Sequence, residues 1–300
     1  MTLSNKKILI VGCGGMLGQA VYNTLHPTNT VLATDIDLNE TWLQYLDIRD
    51  LDAVINIATT FQPELIINLA ALTDLEYCEK NETNAYLKNG LGQENICLVA
   101  NKLDIPTVYI STAGIFDGNQ EYYHDFDTPN PLSVYGKSKY YGEVHTLKTT
   151  TKHFIFRAGW MMGGLHKDKK FISKIYKQLQ QGKKELFVVD DKLGTPTYTW
   201  DFARSIAQIV ASEKYGLYNM VCEGSCSRFD VATEFIKNLN LSDKVKITIV
   251  PSDYFKKDYF APRPSSEKLI NLKLMTRNLL FMRDWKVCLK EYSAEFAKNI

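Results

Sequence analysis

Residues 6–26 read KKILIVGCGGMLGQAVYNTLH. KKILIVG (6–12) is an apolar run that reads as a strand, and GMLGQAVYNTLH (15–26) carries a helical pattern. Between them, Gly12-Cys13-Gly14-Gly15-Met16-Leu17-Gly18 fits G-x-x-G-x-x-G. Gly12 permits a tight turn, Gly15 lets backbone approach a pyrophosphate, and Gly18 lets the helix pack closely on the sheet. The helix N-terminus adds N–H donors and the positive end of a dipole, which favour a phosphate. A strand precedes this turn, a helix follows it, and Asp35 ends the next apolar run. In that setting it reads as a dinucleotide site rather than a packing device. A carboxylate at Asp35 accepts hydrogen bonds from an adenosine ribose and repels a 2′-phosphate. NADH is therefore favoured, with NADPH possible because lysines lie nearby.

Outward from that turn, NTVLATD (29–35), PELIINLA (63–70), PTVYIST (106–112) and KHFIFRAGW (152–160) read as further strands. Helices are expected near 50–61, 84–102 and 133–149. Apolar strands separated by helices mean a parallel sheet covered on both faces. Right-handed crossovers make it a doubly wound α/β sheet of the Rossmann type. Beyond Trp160 the alternation weakens. There we expect a glycine-led loop and basic helix over 163–184, one strand in ELFVVDDK (185–192), and loops at GTPTYT (194–199) and APRP (261–264). The expected division is a dinucleotide-binding domain from 1–160 and 197–221, and a smaller C-terminal substrate-binding lobe from 161–196 and 222–300.

Among 300 residues, hydrophobic types make up 45% and charged types 23%, which excludes a disordered chain. Lys plus Arg total 35 against 34 Asp plus Glu, a net +1 that gives no electrostatic case for nucleic acid or an anionic membrane. Apolar runs such as LIINLAAL (65–72) are too short to span a bilayer. The amino terminus shows no signal-peptide core, so a cytoplasmic protein is expected. The six cysteines, at 13, 78, 97, 222, 226 and 288, and the five histidines lack ligand spacing. We expect reduced, structural thiols and no metal.

Tyr135-Gly-Lys-Ser-Lys139 places a tyrosine and a lysine at i and i+4, on one face of a helix. An ammonium beside a phenol stabilises phenolate, so Lys139 is expected to lower the Tyr135 pKa and make it a proton donor to an alkoxide. Upstream a strand ends in Ser111-Thr112, at the carboxyl edge where open α/β sheets bind ligands. Thr112 there can bond the oxygen that Tyr135 protonates. Together these residues describe carbonyl reduction by hydride transfer.

With those residues in view, the chain resembles the extended short-chain dehydrogenase/reductases, and within them the dTDP-4-dehydrorhamnose reductase group. The likeness is carried by GCGGMLG, IINLAALTDLEYCE, the helix with Asn89, STAGIFDG, YGKSKYYGE, RAGW, GTPTYTWDFA and APRPSS. It implies Thr112, Tyr135 and Lys139 as the catalytic triad. It also implies that Gly15 to Leu17, Asp35, Asp47, Ile48 and Ala70 to Leu72 (with Ala71), together with Tyr135 and Lys139, line an NAD(P) cofactor. Thr112, Ala113 and Trp160 would face a nucleotide-linked keto-sugar, and Arg263 is a candidate for its diphosphate. The implied role is reduction of a 4-keto-6-deoxy sugar in deoxysugar and polysaccharide precursor biosynthesis, often by a homodimer. Two departures touch the sugar side: Ala113 where the group has aspartate, and Ala158-Gly159 where it has Thr-Ser. Ala113-Gly114 also lacks the exchangeable protons of a dehydratase. The alternatives are a nucleotide-sugar 4-epimerase, and a non-catalytic NAD(P)-binding subunit like the regulatory subunit of methionine adenosyltransferase.

Overall fold

The computed structural model describes residues 3–297; Met1, Thr2 and residues 298–300, which the expected division takes in, lie outside the described residues. The strands are β1 (Lys7–Val11), β2 (Thr30–Asp35), β3 (Leu43–Tyr45), β4 (Leu65–Asn68), β5 (Thr107–Thr112), β6 (His153–Ala158) and β7 (Trp160–Met162). They continue with β8 (Glu185–Val189), β9 (Leu193–Gly194), β10 (Pro196–Tyr198), β11 (Gly216–Asn219), β12 (Cys226–Ser227), β13 (Lys246–Val250) and β14 (Ser266–Glu267). A seven-stranded sheet has the order β11-β6-β5-β4-β1-β2-β3, with every pair parallel. The chain builds outward from β1 in one direction and then, from β4, in the other. The crevice at the carboxyl ends of β1 and β4 is therefore the switch point where such sheets take ligands.

Burial on both faces explains the unbroken apolar strands. Ile8 and Ile10 face one apolar cluster with Phe154, Phe156 and the Thr199–Ala211 helix. Leu9 and Val11 face another, with Val54, Ala58, Ile96 and Val99. The first cluster runs on without a break to Phe235 and Leu289 in the second half of the chain.

Two local expectations change, and one strand is added. The helix expected over 84–102 is interrupted: a π-helical turn, Leu87–Leu91, joins Glu82–Tyr86 to Gly92–Leu103. Asn89 in that turn is buried, accepts the Leu72 N–H at 2.7 Å and donates to Ser138 Oγ at 2.9 Å, which ties the post-β4 loop to the Val134–Thr149 helix. GTPTYT is not a loop. Its β10 pairs with β7 in parallel, Pro196 opposite Trp160, and proline is tolerated there because it opens the strand. Polar β3 is a short edge strand without a readable period. Among the described residues no helix is long and apolar enough to cross a membrane, and no cluster of His, Cys, Asp or Glu is placed to hold a metal ion.

Candidate active site

Gly12 has φ +73°, and a side chain there would begin 2.2 Å from the Ala70 N. Only glycine lets the turn after β1 pass this close to the loop after β4. At Gly18 an added carbon would lie 1.7 Å from the Cys13 carbonyl oxygen, so that glycine is demanded by packing. Gly15 differs. Its added carbon would meet nothing nearer than 3.8 Å, so the space beside it belongs to the cleft. The Gly18–Leu25 helix begins at Leu17 with no side-chain cap, which leaves its positive end open to an anion. Turn and helix end thus form a cradle that suits a pyrophosphate.

Asp35, ending β2, accepts the Gly14 N–H at 2.8 Å and the Asp37 N–H at 2.9 Å. Two nearby cations are already matched. Lys167 pairs with Glu40 at 2.7 Å, and Arg49 holds Asp47 and keeps its carboxyl below the usual range. Ile48 is buried in the wall. Gly12, Gly15, Met16, Leu17, Asp35, Asp47, Ile48 and Ala70 to Leu72 all line one cleft of about 1330 Å³. The same cleft reaches Thr112, Tyr135, Lys139, Trp160 and Arg263. A volume above the usual range for one small ligand is room for a dinucleotide and a second nucleotide together.

Ser133 caps the Val134–Thr149 helix through the Gly136 N–H, so Tyr135 stands in its first turn and Lys139 one turn on. Tyr135 lines the same part of the cleft as Thr112, which ends β5. The expected fall in the Tyr135 pKa is not found: burial pushes it up to about 12, with the neighbouring Thr112 hydroxyl pulling the other way. Lys139 is itself buried, its Nζ 4.0 Å from the centre of the Tyr109 ring. Burial pushes Lys139 down to about 7, opposed by the charge of Glu143.

This sets a pH-dependent cost. Between about pH 7 and 10.5 the unfolded chain binds the lysine proton and the folded chain does not, so stability rises with pH across that window. Lys139→Met should therefore raise the melting temperature of the ligand-free protein, fully below pH 7 and progressively less toward pH 10.5. Melting curves across that range check it, and a variant less stable at pH 7 than the parent would refute it.

The sugar side departs further from expectation. Ala113 is buried in a cluster with Ile115, Phe116 and Tyr123, so its methyl faces the core and Gly114 takes its place on the cleft wall. Trp160 does line the cleft, but its N–H donates to Glu267 Oε2 at 2.7 Å and the Arg228 guanidinium stacks 3.5 Å from its ring centre. Burial pushes Arg228 down to about 10. Arg263 also lines the cleft, ion-paired with Glu76 at 2.7 Å. Glu267 and Arg228 escaped the sequence reading because each stands alone, in no motif and on a two-residue strand or at a helix start.

Against known proteins, the RmlD substrate binding domain family matches residues 6–298. The spore coat polysaccharide biosynthesis protein SpsK of Bacillus subtilis is 31% identical over 96% of this chain and 97% of its own. A dTDP-4-dehydrorhamnose reductase of Aggregatibacter actinomycetemcomitans is 30% identical over 96% and 98%. The crystal structure of the Bacillus anthracis dTDP-4-dehydrorhamnose reductase in complex with NADP superposes with a TM-score of 0.89 at 28% identity, covering 97% of this chain and 99% of that one. The match spans the glycine turn, the Thr-Tyr-Lys site and the second-half lobe alike, and the chain belongs to the RmlD substrate-binding-domain family.

Proposed function

We propose that this protein is an NAD(P)H-dependent reductase of a nucleotide-linked 4-keto-6-deoxy sugar, the activity named for its dTDP-4-dehydrorhamnose reductase relatives. The observation that carries it is that Thr112, at the carboxyl edge of β5, and Tyr135 line the same cleft as the glycine cradle. Bound NAD(P)H supplies a hydride to the carbonyl carbon. Thr112 holds the carbonyl oxygen, and Tyr135 passes its hydroxyl proton to that oxygen as the alcohol forms. The phenolate's negative charge favours the protonated form of the neighbouring Lys139, which burial holds down to about 7, and Tyr135 regains its proton from solvent.

The relatives favour reduction over 4-epimerisation. The curated relatives at 27–30% identity are named as reductases, and the 4-epimerase among the solved structures is only 18% identical. Residues 1–160 with 197–221 carry the cofactor in this reading, and the remainder closes over the sugar. Six buried, free cysteines suit the reducing cytoplasm. The deciding experiment is NAD(P)H oxidation with a thymidine-diphosphate 4-keto-6-deoxy sugar. Binding of NAD(P)H without consumption would instead make the chain a regulatory subunit.

For the cofactor we infer a preference for NADH, since Asp35 faces the ribose site and Arg49 and Lys167 are already paired with acids. Asp35→Ala should remove the repulsion and raise NADPH affinity relative to NADH by roughly tenfold, on the order of the coupling of one close charge. Fluorescence titration of both cofactors reads the ratio. A parent chain that prefers NADPH would show Asp35 turned away from the ribose.

A further inference from the structure

One carboxylate in the cleft is used neither by the dinucleotide cradle nor by the proton-transfer pair. Glu267, in β14, extends from the second-half lobe toward the loop after β5. Its Oε2 is engaged by the Trp160 indole N–H. Its Oε1 lies 3.6 Å from the point where a side chain on Gly114 would begin, and Thr112 Oγ1 lies 3.5 Å from that same point. Among the described residues, no hydrogen bond to Oε1 is found. An ionised carboxylate has only acceptors to offer, so the missing partner is a hydrogen-bond donor.

The surroundings narrow that donor. Phosphate is repelled by the carboxylate and attracted to Arg228, whose guanidinium stacks on the Trp160 ring. A sugar ring whose carbonyl oxygen rests on Thr112 and Tyr135 therefore lies under Glu267. In a 4-keto-6-deoxy sugar, one carbon beside the carbonyl carries a hydroxyl, C3, and the other, C5, carries a methyl group. We propose that Glu267 is a substrate-recognition residue whose Oε1 accepts a hydrogen bond from the 3-hydroxyl, filling the place beside Thr112 where Ala113 and Gly114 provide no acid. Trp160 then acts as the support that aims Glu267, its N–H fixing one carboxylate oxygen so that the other points at the sugar. This rests on the reductase reading above.

The test compares a thymidine-diphosphate 4-keto-6-deoxy sugar with its 3-deoxy analogue, in the parent and in Glu267→Gln. Glutamine keeps a carbonyl to accept the indole N–H, so fold and thymidine-diphosphate affinity are expected to stay unchanged. A hydrogen bond to a charged acceptor predicts that the parent loses roughly 10- to 100-fold in kcat/KM on the analogue. Glu267→Gln should lose a similar factor on the full sugar and nothing more on the analogue. Equal turnover of both sugars by the parent overturns the role of Glu267, whatever the variant does. So does a Glu267→Gln enzyme that still discriminates between the sugars as the parent does. A parent that reduces neither sugar overturns the reductase reading itself, and this assignment with it.

Discussion

Tyr135→Phe should lower kcat by at least about two orders of magnitude while leaving cofactor affinity within about twofold. The ring itself packs beside Leu72, Cys78 and Val134, and phenylalanine keeps that packing. Thr112 keeps its bond from the Gly114 N–H at 3.1 Å, so the end of β5 stays in place. What vanishes is the proton. Hydride addition without a donor leaves an alkoxide in a partly desolvated cleft, and the barrier rises by the cost of that charge. Steady-state kinetics with cofactor titration separate the two effects. Near-normal turnover would mean another group donates the proton.

The second large effect is on stability and comes from behind the site. Glu143, four residues after Lys139, is fully buried and accepts from Arg157 Nε at 2.7 Å and from Ser111 Oγ at 3.1 Å. It thereby joins the catalytic helix to β5 and β6 at the strand ends that carry Thr112 and Ala158. Glu143→Ala leaves the Arg157 guanidinium, only 4% exposed, without its counter-charge, and should cost about 3–5 kcal/mol. Replacing both partners with apolar residues, Glu143→Leu with Arg157→Met, should recover most of that loss, since the penalty is for the orphaned charge. Denaturant titration gives both values. A single variant within about 1 kcal/mol of the parent would show that water reaches Arg157.

Strands whose two faces are both covered announce themselves as apolar runs, and so β1, β4, β5 and β6 were legible from residues 6–160. The glycine turn was legible because phosphate cradles demand small residues at fixed spacing, and Tyr135 and Lys139 because a helix fixes which side chains share a face. The π-helical turn at Leu87–Leu91 was not legible: its cause is Asn89 reaching Leu72 and Ser138, contacts far apart in sequence. The β7–β10 pair is too short to carry a period. Ala113 was misplaced because a backbone position after Thr112 does not reveal that its methyl turns inward. Lys139 was expected to act on Tyr135, but burial, which spacing does not report, dominates both groups.

The late arrival of β11 has a consequence for how the chain is made. β6 pairs with β5 on one side and waits for Gly216–Asn219 on the other. At 5–20 residues per second, the ribosome leaves that edge open for on the order of several seconds while the β7-to-Ala211 segment is synthesised. The open edge is HFIFRA, dense in β-forming side chains and carrying one charge, Arg157, that later turns inward to Glu143. Asp125, waiting on the nascent side, accepts the Asn219 N–H at 2.7 Å and helps draw the last strand in. Soluble yield should therefore follow translation speed and chaperone supply over this interval, independently of how stable the finished molecule is.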